Sequence, residues 1–289
     1  MRALEEVCEV DAYLDEPPIP REELLVRVEG KQGLVCLITE KIDAGVLDAG
    51  KDLRVVANVG VGYNNIDVAA ARARNIVVTN TPDVLTEATA DLTWALILGI
   101  TRRIGEAERL LRRGEWKAWK IDFMLGTELR GKQLGVVGFG RIGRAVAAKA
   151  GAFGMRVVHS KEMALDRLLS TSDVVTLHVP LTPETTHLIN QAALARMKRS
   201  AYLINTSRGP IVDEAALAWA LRERLIAGAG LDVFEREPDV HKDLLGFENV
   251  LLLPHIGSAT VETRTAMIEL AARNAMAVVS GQPPLTPVP

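Results

Sequence analysis

Three side chains that could together carry acid–base chemistry each follow a short apolar run. Arg208 lies in NTSRGP after AYLIN, Glu237 lies in FEREP after GAGLDV, and His255 lies in PHIGS after VLLL. Because open α/β sheets bind ligands at the carboxyl ends of their strands, we expect the three residues to meet at one sheet edge. Singly, each residue is more typical of a surface charge or a structural histidine, so the prediction depends on their joint placement.

The chemistry that this set predicts is hydride addition to a small 2-keto acid. Such a reaction needs a cation for the carboxylate and the carbonyl oxygen, and the Arg208 guanidinium offers bidentate geometry. It also needs a proton donor, and an imidazole, whose ordinary pKa is about 6.5, keeps both protonation states available. A neighbouring carboxylate would orient His255 and favour its charged form, and Glu237 is the candidate.

A glycine-rich turn, GFGRIG at residues 138–143, directly follows the apolar run QLGVV and opens a helical stretch. In that context the spacing predicts a dinucleotide cradle. Gly138 would allow the tight turn, Gly140 would let the backbone approach a pyrophosphate, and Gly143 would permit close helix packing. Arg141 and Ile142 would place backbone N–H groups at the helix N-terminus, facing the phosphates.

The next predicted strand is followed by Ser160, Lys161 and Glu162. Enzymes that use NAD usually place an acidic residue here to bind the ribose 2′-hydroxyl. A hydroxyl and an ammonium suit the 2′-phosphate of NADP instead, although the adjacent Glu162 keeps NAD open. The sequence therefore favours NADP over NAD.

Short β-branched runs alternate with helical stretches along the chain, which predicts an α/β fold with parallel sheets. The predicted strands are 34–39, 53–59, 76–79, 133–137, 155–159, 174–178, 201–205, 228–233 and 250–253, and the clearest helices are 66–74, 83–103, 214–224 and 261–279. Asp83 or Thr86 would cap the second of these helices. We expect two doubly wound, Rossmann-like domains with a cleft between them. Residues 1–86 plus 259–289 would form the substrate-binding domain, residues 87–258 would bind the dinucleotide, and PPLTPVP would be a tail.

Composition argues against several other classes of protein. The 289 residues carry a formal net charge of −3 with acids and bases interspersed, so no basic face for nucleic acid is expected. The most apolar run, residues 92–100, is far shorter than the roughly 20 residues of a membrane span. Cys8 and Cys36 offer neither a disulfide framework nor a thiolate metal site. A cytoplasmic enzyme without a metal is the expectation.

Seven motifs in order resemble the D-isomer-specific 2-hydroxyacid dehydrogenases, and most closely their glyoxylate/hydroxypyruvate reductase branch. They are VGVGYNNID, NTPDVLTEATAD, GVVGFGRIG, LHVPLTPETTHLIN, LINTSRGPIVDE, LDVFEREP and LPHIGSAT. The resemblance implies that Arg208 binds substrate and that Glu237 pairs with His255, the acid/base. It also implies a homodimer, with backbone N–H groups of Val61 and Gly62 on the substrate carboxylate. The further cofactor contacts that we predict are Thr89, His178, Pro180, Thr185, Thr206, Asp232 and Gly257.

The resemblance leaves some points open. Trp119, in GEWKAWK, matches a tryptophan with which the neighbouring subunit closes the pocket in the reductase branch, but a purely interfacial role is equally compatible. Two expected segments are absent: the first strand of the substrate domain, and a short strand and helix between Lys161 and Leu165. A dinucleotide-sensing, corepressor-like protein and a phosphoglycerate-type or formate-type dehydrogenase are the alternatives. Turnover of NADPH with glyoxylate would separate the enzyme from the sensor.

Overall fold

The computed structural model describes residues 4, 8–15 and 18–289, and strands and helices alternate along them. The strands are β1 (Gly33–Leu37), β2 (Val55–Val59), β3 (Val77–Thr79), β4 (Gln133–Val137), β5 (Arg156–His159), β6 (Val174–Leu177), β7 (Tyr202–Asn205), β8 (Gly228–Leu231) and β9 (Val250–Leu252). The helices are α1 (Arg21–Arg27), α2 (Ala44–Ala49), α3 (Val68–Ala73), α4 (Thr86–Thr101), α5 (Ile104–Arg112), α6 (Arg141–Lys149), α7 (Leu165–Thr171), α8 (Gln191–Arg196), α9 (Glu214–Arg222) and α10 (Val261–Val279). The predicted α/β class with parallel sheets is confirmed. No helix in the described part of the chain is long and apolar enough to cross a bilayer.

The chain divides into two compact units, of which the smaller contains the described residues up to Leu85 together with Ala259–Pro289. Its parallel sheet has the order β1-β2-β3. Successive side chains of a strand face opposite sides, so Val55 and Ala57 pack on α10 while Val56 packs with residues of α1 and α2. Because both faces are covered, β2 is apolar except for the buried Asn58, as expected of a buried parallel strand.

The C-terminal segment, which we expected to be a tail, pairs with the edge of the smaller sheet. Pro287 forms an antiparallel bridge with Thr79, and the Val288 N–H donates to the Val78 carbonyl over 2.9 Å. A proline at this position costs no ladder bond on an outer strand. The segment therefore covers the otherwise open edge of β3.

The larger unit, Thr86–Ser258, contains a six-stranded parallel sheet in the order β5-β4-β6-β7-β8-β9. The order reverses at β4, because the chain continues to β5 on one side and to β6 on the other. Helices α7, α8 and α9 pack on one face, and α4 and α6 pack on the other. The carboxyl ends of β4 and β6 therefore form the switch point at which such sheets bind ligands.

The helix predicted over residues 83–103 is shorter at both ends, as α4. Asp83 has a left-handed φ of 69° and so belongs to the preceding turn rather than capping the helix, and Thr86 is already helical. Arg103, with φ of 54°, ends the run and begins α5. The predicted end at Arg103 thus lies close to the observed one at Thr101, and the sequence did not predict α5.

Candidate active site

In the glycine turn after β4, neighbouring backbone segments lie too close together for a side chain at two of the three glycines. Gly138 has a left-handed φ of 93°, and a Cβ there would lie 2.4 Å from the His178 carbonyl carbon. A Cβ on Gly143 would lie 2.1 Å from the Gly138 oxygen, so the first turn of α6 lies directly against the loop. In contrast, a Cβ on Gly140 would meet nothing within 4 Å. The loop is thus packed against the protein at Gly138 and Gly143, and it has open space at Gly140.

The first turn of α6 suits a phosphate. Gly140 is the N-cap, and its carbonyl accepts the Arg144 N–H over 3.0 Å. The N–H groups of Arg141, Ile142 and Gly143 precede the first intrahelical bond, and the helix dipole favours an anion beside them. These residues therefore fit a dinucleotide pyrophosphate.

Glu237 and His255 form a hydrogen-bonded pair in the larger unit. His255 Nδ1 lies 2.7 Å from Glu237 Oε2, and the other carboxylate oxygen accepts the Phe234 N–H over 3.0 Å. His255 has a left-handed φ of 53° shortly after β9, a conformation that non-glycine residues adopt at a cost. With Nδ1 engaged, Nε2 is the ring nitrogen that can exchange a proton with a ligand.

Electrostatics keep the carboxylate of this pair charged. Burial raises the pKa of Glu237, but the His255 hydrogen bond and charge, the Phe234 N–H and the Arg208 charge outweigh it, so the pKa lies below its ordinary value. Burial lowers the pKa of the Arg208 guanidinium, and the Glu237 charge opposes that shift. The charges of Arg208 and His255 therefore both act on the Glu237 carboxylate.

Arg208 follows β7 in a turn that Asn205 holds. The buried Asn205 amide donates to the Arg208 carbonyl over 2.9 Å and accepts the Ser207 N–H over 3.0 Å. One guanidinium nitrogen of Arg208 donates to the Ser207 carbonyl over 2.7 Å. The turn thus fixes the backbone of Arg208 and the base of its side chain.

Asp232, which we expected beside the nicotinamide, holds the segment that follows His255. Its two carboxylate oxygens accept the N–H groups of Ile256 and Gly257, each over 2.8 Å. Burial raises the pKa of Asp232, and these two hydrogen bonds oppose the shift. A Cβ on Gly257 would lie 3.1 Å from the carboxylate, so the approach is tight. The structure thus gives Asp232 a role in orienting the loop that carries the imidazole.

Threonines line the same edge of the larger sheet. The hydroxyl of Thr206 lies 2.9 Å from that of Thr93, which donates to the Thr89 carbonyl over 2.8 Å. Farther along, the Thr185 hydroxyl donates to the Pro180 carbonyl over 2.7 Å. Thr89 and Thr206 are buried. Their hydrogen bonds tie α4 to the end of β7.

Glu214, which sequence reasoning missed, holds the turn that carries Glu237. Its buried carboxylate accepts the Glu235 N–H over 2.7 Å and the His241 N–H over 3.2 Å, on either side of that turn. Burial raises the pKa of Glu214 and the two hydrogen bonds oppose it. The available signal was an acidic residue at the start of the otherwise apolar α9 helix.

His178, after β6, is partly buried, and its Nε2 lies 2.9 Å from the Thr176 hydroxyl. Burial lowers its pKa from 6.5 to about 3. Below pH 6.5 the His178 imidazole takes up a proton in the unfolded chain but not in the folded chain. The free energy of unfolding therefore falls as the pH drops toward 3. We expect this histidine to remove on the order of 1–2 kcal/mol between pH 7 and pH 5.

Urea denaturation of the wild type and of His178→Gln at pH 7 and pH 5 measures this contribution. Glutamine keeps a hydrogen-bonding end but does not titrate, so the variant should lose less stability between the two pH values. Parallel losses in the two proteins would show that the imidazole is protonated in the folded state.

The end of β5 differs from what the motifs alone implied. Hydrogen bonds from the Glu162 and Met163 N–H groups to the His159 carbonyl turn the chain directly toward α7. The Ser160 hydroxyl accepts the Gly138 N–H over 2.9 Å, and Lys161 is exposed. The Glu162 carboxylate lies 3.4 Å from His159 Nε2. All three polar residues that follow β5 are thus exposed, and the acid has a histidine neighbour.

The remaining predicted residues lie apart from this edge or in the smaller unit. Trp119 has 76% of its surface exposed, in a segment without regular structure that follows α5. Val61 and Gly62 follow β2 in the smaller unit and are partly buried. Within residues 4, 8–15 and 18–289, no cluster of three or more histidine, cysteine or acidic side chains could hold a metal ion.

Comparison with known proteins identifies the family. The model of the D-isomer-specific 2-hydroxyacid dehydrogenase NAD-binding domain matches residues 94–257. Glyoxylate reductase of Thermococcus onnurineus is 48% identical over 304 aligned positions, which cover 99% of this chain and 91% of that protein. That alignment is longer than this chain of 289 residues, so the relative contains residues that are absent here.

Solved structures agree. A protein from Thermus thermophilus is 48% identical with a TM-score of 0.94, covering 100% of this chain and 95% of its own. An NADPH-dependent glyoxylate/hydroxypyruvate reductase from Sinorhizobium meliloti, solved with NADP and malonate, is 41% identical with a TM-score of 0.83, covering 91% of this chain and 85% of its own. On this similarity, which extends over nearly the whole chain, the protein belongs to the D-isomer-specific 2-hydroxyacid dehydrogenase family.

Proposed function

We propose that this protein reduces a small 2-keto acid, glyoxylate or hydroxypyruvate, to the 2-hydroxy acid with a reduced nicotinamide dinucleotide. The observation that carries the proposal is the His255–Glu237 pair, 2.7 Å apart, in the same unit as the glycine turn. The relatives named glyoxylate reductase support the choice of substrate. The larger unit is then the dinucleotide-binding domain and the smaller one the substrate-binding domain.

In this mechanism Arg208 binds the keto acid and polarises its carbonyl, because its guanidinium offers parallel N–H donors. The dinucleotide supplies a hydride when bound. His255 donates a proton from Nε2 to the oxygen that becomes the hydroxyl, and Glu237 stabilises the imidazolium before the transfer. Asp232 and Glu214 keep the loops of this pair in place through the backbone bonds described above.

A panel of keto acids against NADPH and NADH tests the proposal. We expect turnover of glyoxylate and hydroxypyruvate to exceed that of pyruvate and of 3-phosphohydroxypyruvate. Preference for the phosphorylated acid would move the protein to a phosphoglycerate-type branch. Tight dinucleotide binding without turnover of any keto acid would indicate a sensor instead.

Among the dinucleotides, NADP is the preferred cofactor in this proposal. The Lys161 ammonium is exposed beside Ser160, and the similar Sinorhizobium meliloti enzyme was solved with NADP. Lys161→Asp should therefore lower kcat/KM with NADPH about tenfold while leaving that with NADH nearly unchanged, because a carboxylate repels a 2′-phosphate. The matched control is Lys198→Asp, a lysine of the same unit that pairs with Asp173. An unchanged ratio of the two efficiencies would show that Lys161 does not contact the phosphate.

The protein is also proposed to form a homodimer. Large apolar side chains are exposed along one segment after α5, namely Trp116, Trp119, Ile121, Phe123 and Leu125. Such a cluster is typical of a surface that a partner covers. Trp119 would lie in this interface, and its contact with the substrate stays a prediction, as does the cytoplasmic location. Sedimentation should give twice the monomer mass.

A further inference from the structure

The loop that follows β2 has its carbonyl oxygens held by asparagine side chains. The Asn80 amide donates to the Val61 carbonyl over 2.8 Å, and the Asn58 amide donates to the Gly62 carbonyl over 3.0 Å. The preceding carbonyl, that of Gly60, accepts a backbone N–H over 3.0 Å. Three successive carbonyl groups of this loop are therefore all bonded within the smaller unit.

The orientation of these carbonyls determines where the N–H groups point. In a planar trans peptide the N–H of one residue is antiparallel to the carbonyl of the residue before it. The N–H groups of Val61, Gly62 and Tyr63 are therefore directed away from the groups that hold the carbonyls. Within the described residues no backbone oxygen accepts a hydrogen bond from any of the three. Successive backbone N–H groups whose carbonyls are bonded elsewhere can attract an anion.

Both asparagines are themselves fixed. Asn58 is fully buried, and its side-chain oxygen lies 3.2 Å from the Asn65 amide nitrogen that donates to it. The Asn80 carbonyl accepts the Thr286 hydroxyl over 2.6 Å, and the Asn80 N–H donates to the Thr286 carbonyl over 3.2 Å. The buried Asn274 then accepts the Thr286 N–H over 3.0 Å. The C-terminal segment and α10 thus hold Asn80 in place.

We propose that Asn58 and Asn80 are positioning residues that aim the backbone N–H groups of Val61, Gly62 and Tyr63 at the carboxylate of the keto acid. This inference rests on the proposed function, and it adds the groups that set the orientation of the peptides. An alternative peptide orientation would present carbonyl oxygens, which repel a carboxylate. The asparagines remove that alternative, because turning the peptide would leave their side-chain amides unbonded.

The test compares glyoxylate with its uncharged methyl ester in the wild type and in Asn80→Ala. We expect kcat/KM for glyoxylate to be about fivefold or more lower in the variant, because one hydrogen bond no longer holds the loop. The loss should come from a higher KM. The efficiency with the ester should change little, so the acid-to-ester ratio falls. Asn249→Ala is the matched control, since Asn249 is equally half-buried and donates to the Ala227 carbonyl over 2.9 Å in the other unit.

An unchanged acid-to-ester ratio in Asn80→Ala, or an equal fall in Asn249→Ala, would overturn the inference while leaving the proposed function intact. If the wild type reduces neither compound, the proposed function fails, and calorimetric titration with oxalate decides the inference. Weaker oxalate binding by Asn80→Ala than by the wild type would support it, whereas equal binding or none would end it. Should Asn80→Ala fail to fold, Thr286→Val, which removes only the hydroxyl that supports Asn80, must show the same fall in the ratio.

Discussion

Replacing His255 by alanine is expected to lower kcat by about 10²-fold or more, because general acid–base catalysis contributes at least that much. Binding of the dinucleotide should survive, since the glycine turn and the first turn of α6 do not depend on the imidazole. Steady-state kinetics with glyoxylate and fluorescence titration with NADPH measure the two quantities separately. A fall in both would instead point to misfolding of the loop after β9.

A second histidine provides the control for this result. His187 lies 3.2 Å from Glu235 Oε1, so it also contacts a carboxylate in the larger unit, but it is exposed. His187→Ala should therefore keep kcat within about threefold of the wild type, as surface substitutions usually do. If His187→Ala lost as much activity as His255→Ala, or if His255→Ala were fully active, the proton donor would lie elsewhere.

The other large effect is expected from Arg208→Lys. An ammonium keeps the charge but cannot reproduce the planar pair of N–H donors, so kcat/KM for glyoxylate should fall about 10²-fold. Arg222 is the matched control, because its guanidinium pairs with Asp243 over 2.7 Å at the surface of the same unit. Arg222→Lys should be nearly neutral. Near-normal kcat/KM in Arg208→Lys would remove this residue from the substrate site.

The local sequence pattern was sufficient to predict the strands and the polar residues that follow them. The strands are mostly apolar because helices cover both faces of the sheets, and this makes them recognisable in a single sequence. The helix-breaking Gly138 and the open Gly140 stand where spacing placed them, after β4. The pairing of Glu237 with His255 was also expected, since parallel strands bring their carboxyl ends to one edge.

Strand ends and side-chain partners were less predictable. The predicted helix ended at Arg103, close to the observed end of α4 at Thr101, but α5 beyond it was not predicted. Asp232 was predicted to contact the cofactor, which stays a prediction, and its bonds to the backbone after His255 were not predicted. The C-terminal segment was assigned to a tail because it is rich in proline, yet it covers β3.

By itself, then, the sequence determined the α/β class and the glycine turn, because each depends on neighbours within a few positions along the chain. Only the tertiary structure decided that Asn80 holds the Val61 carbonyl, and that Thr286, from the far end of the chain, holds Asn80. A hydrogen bond is set by distance and angle in space, and residues this far apart in sequence meet only when α10 packs on β2.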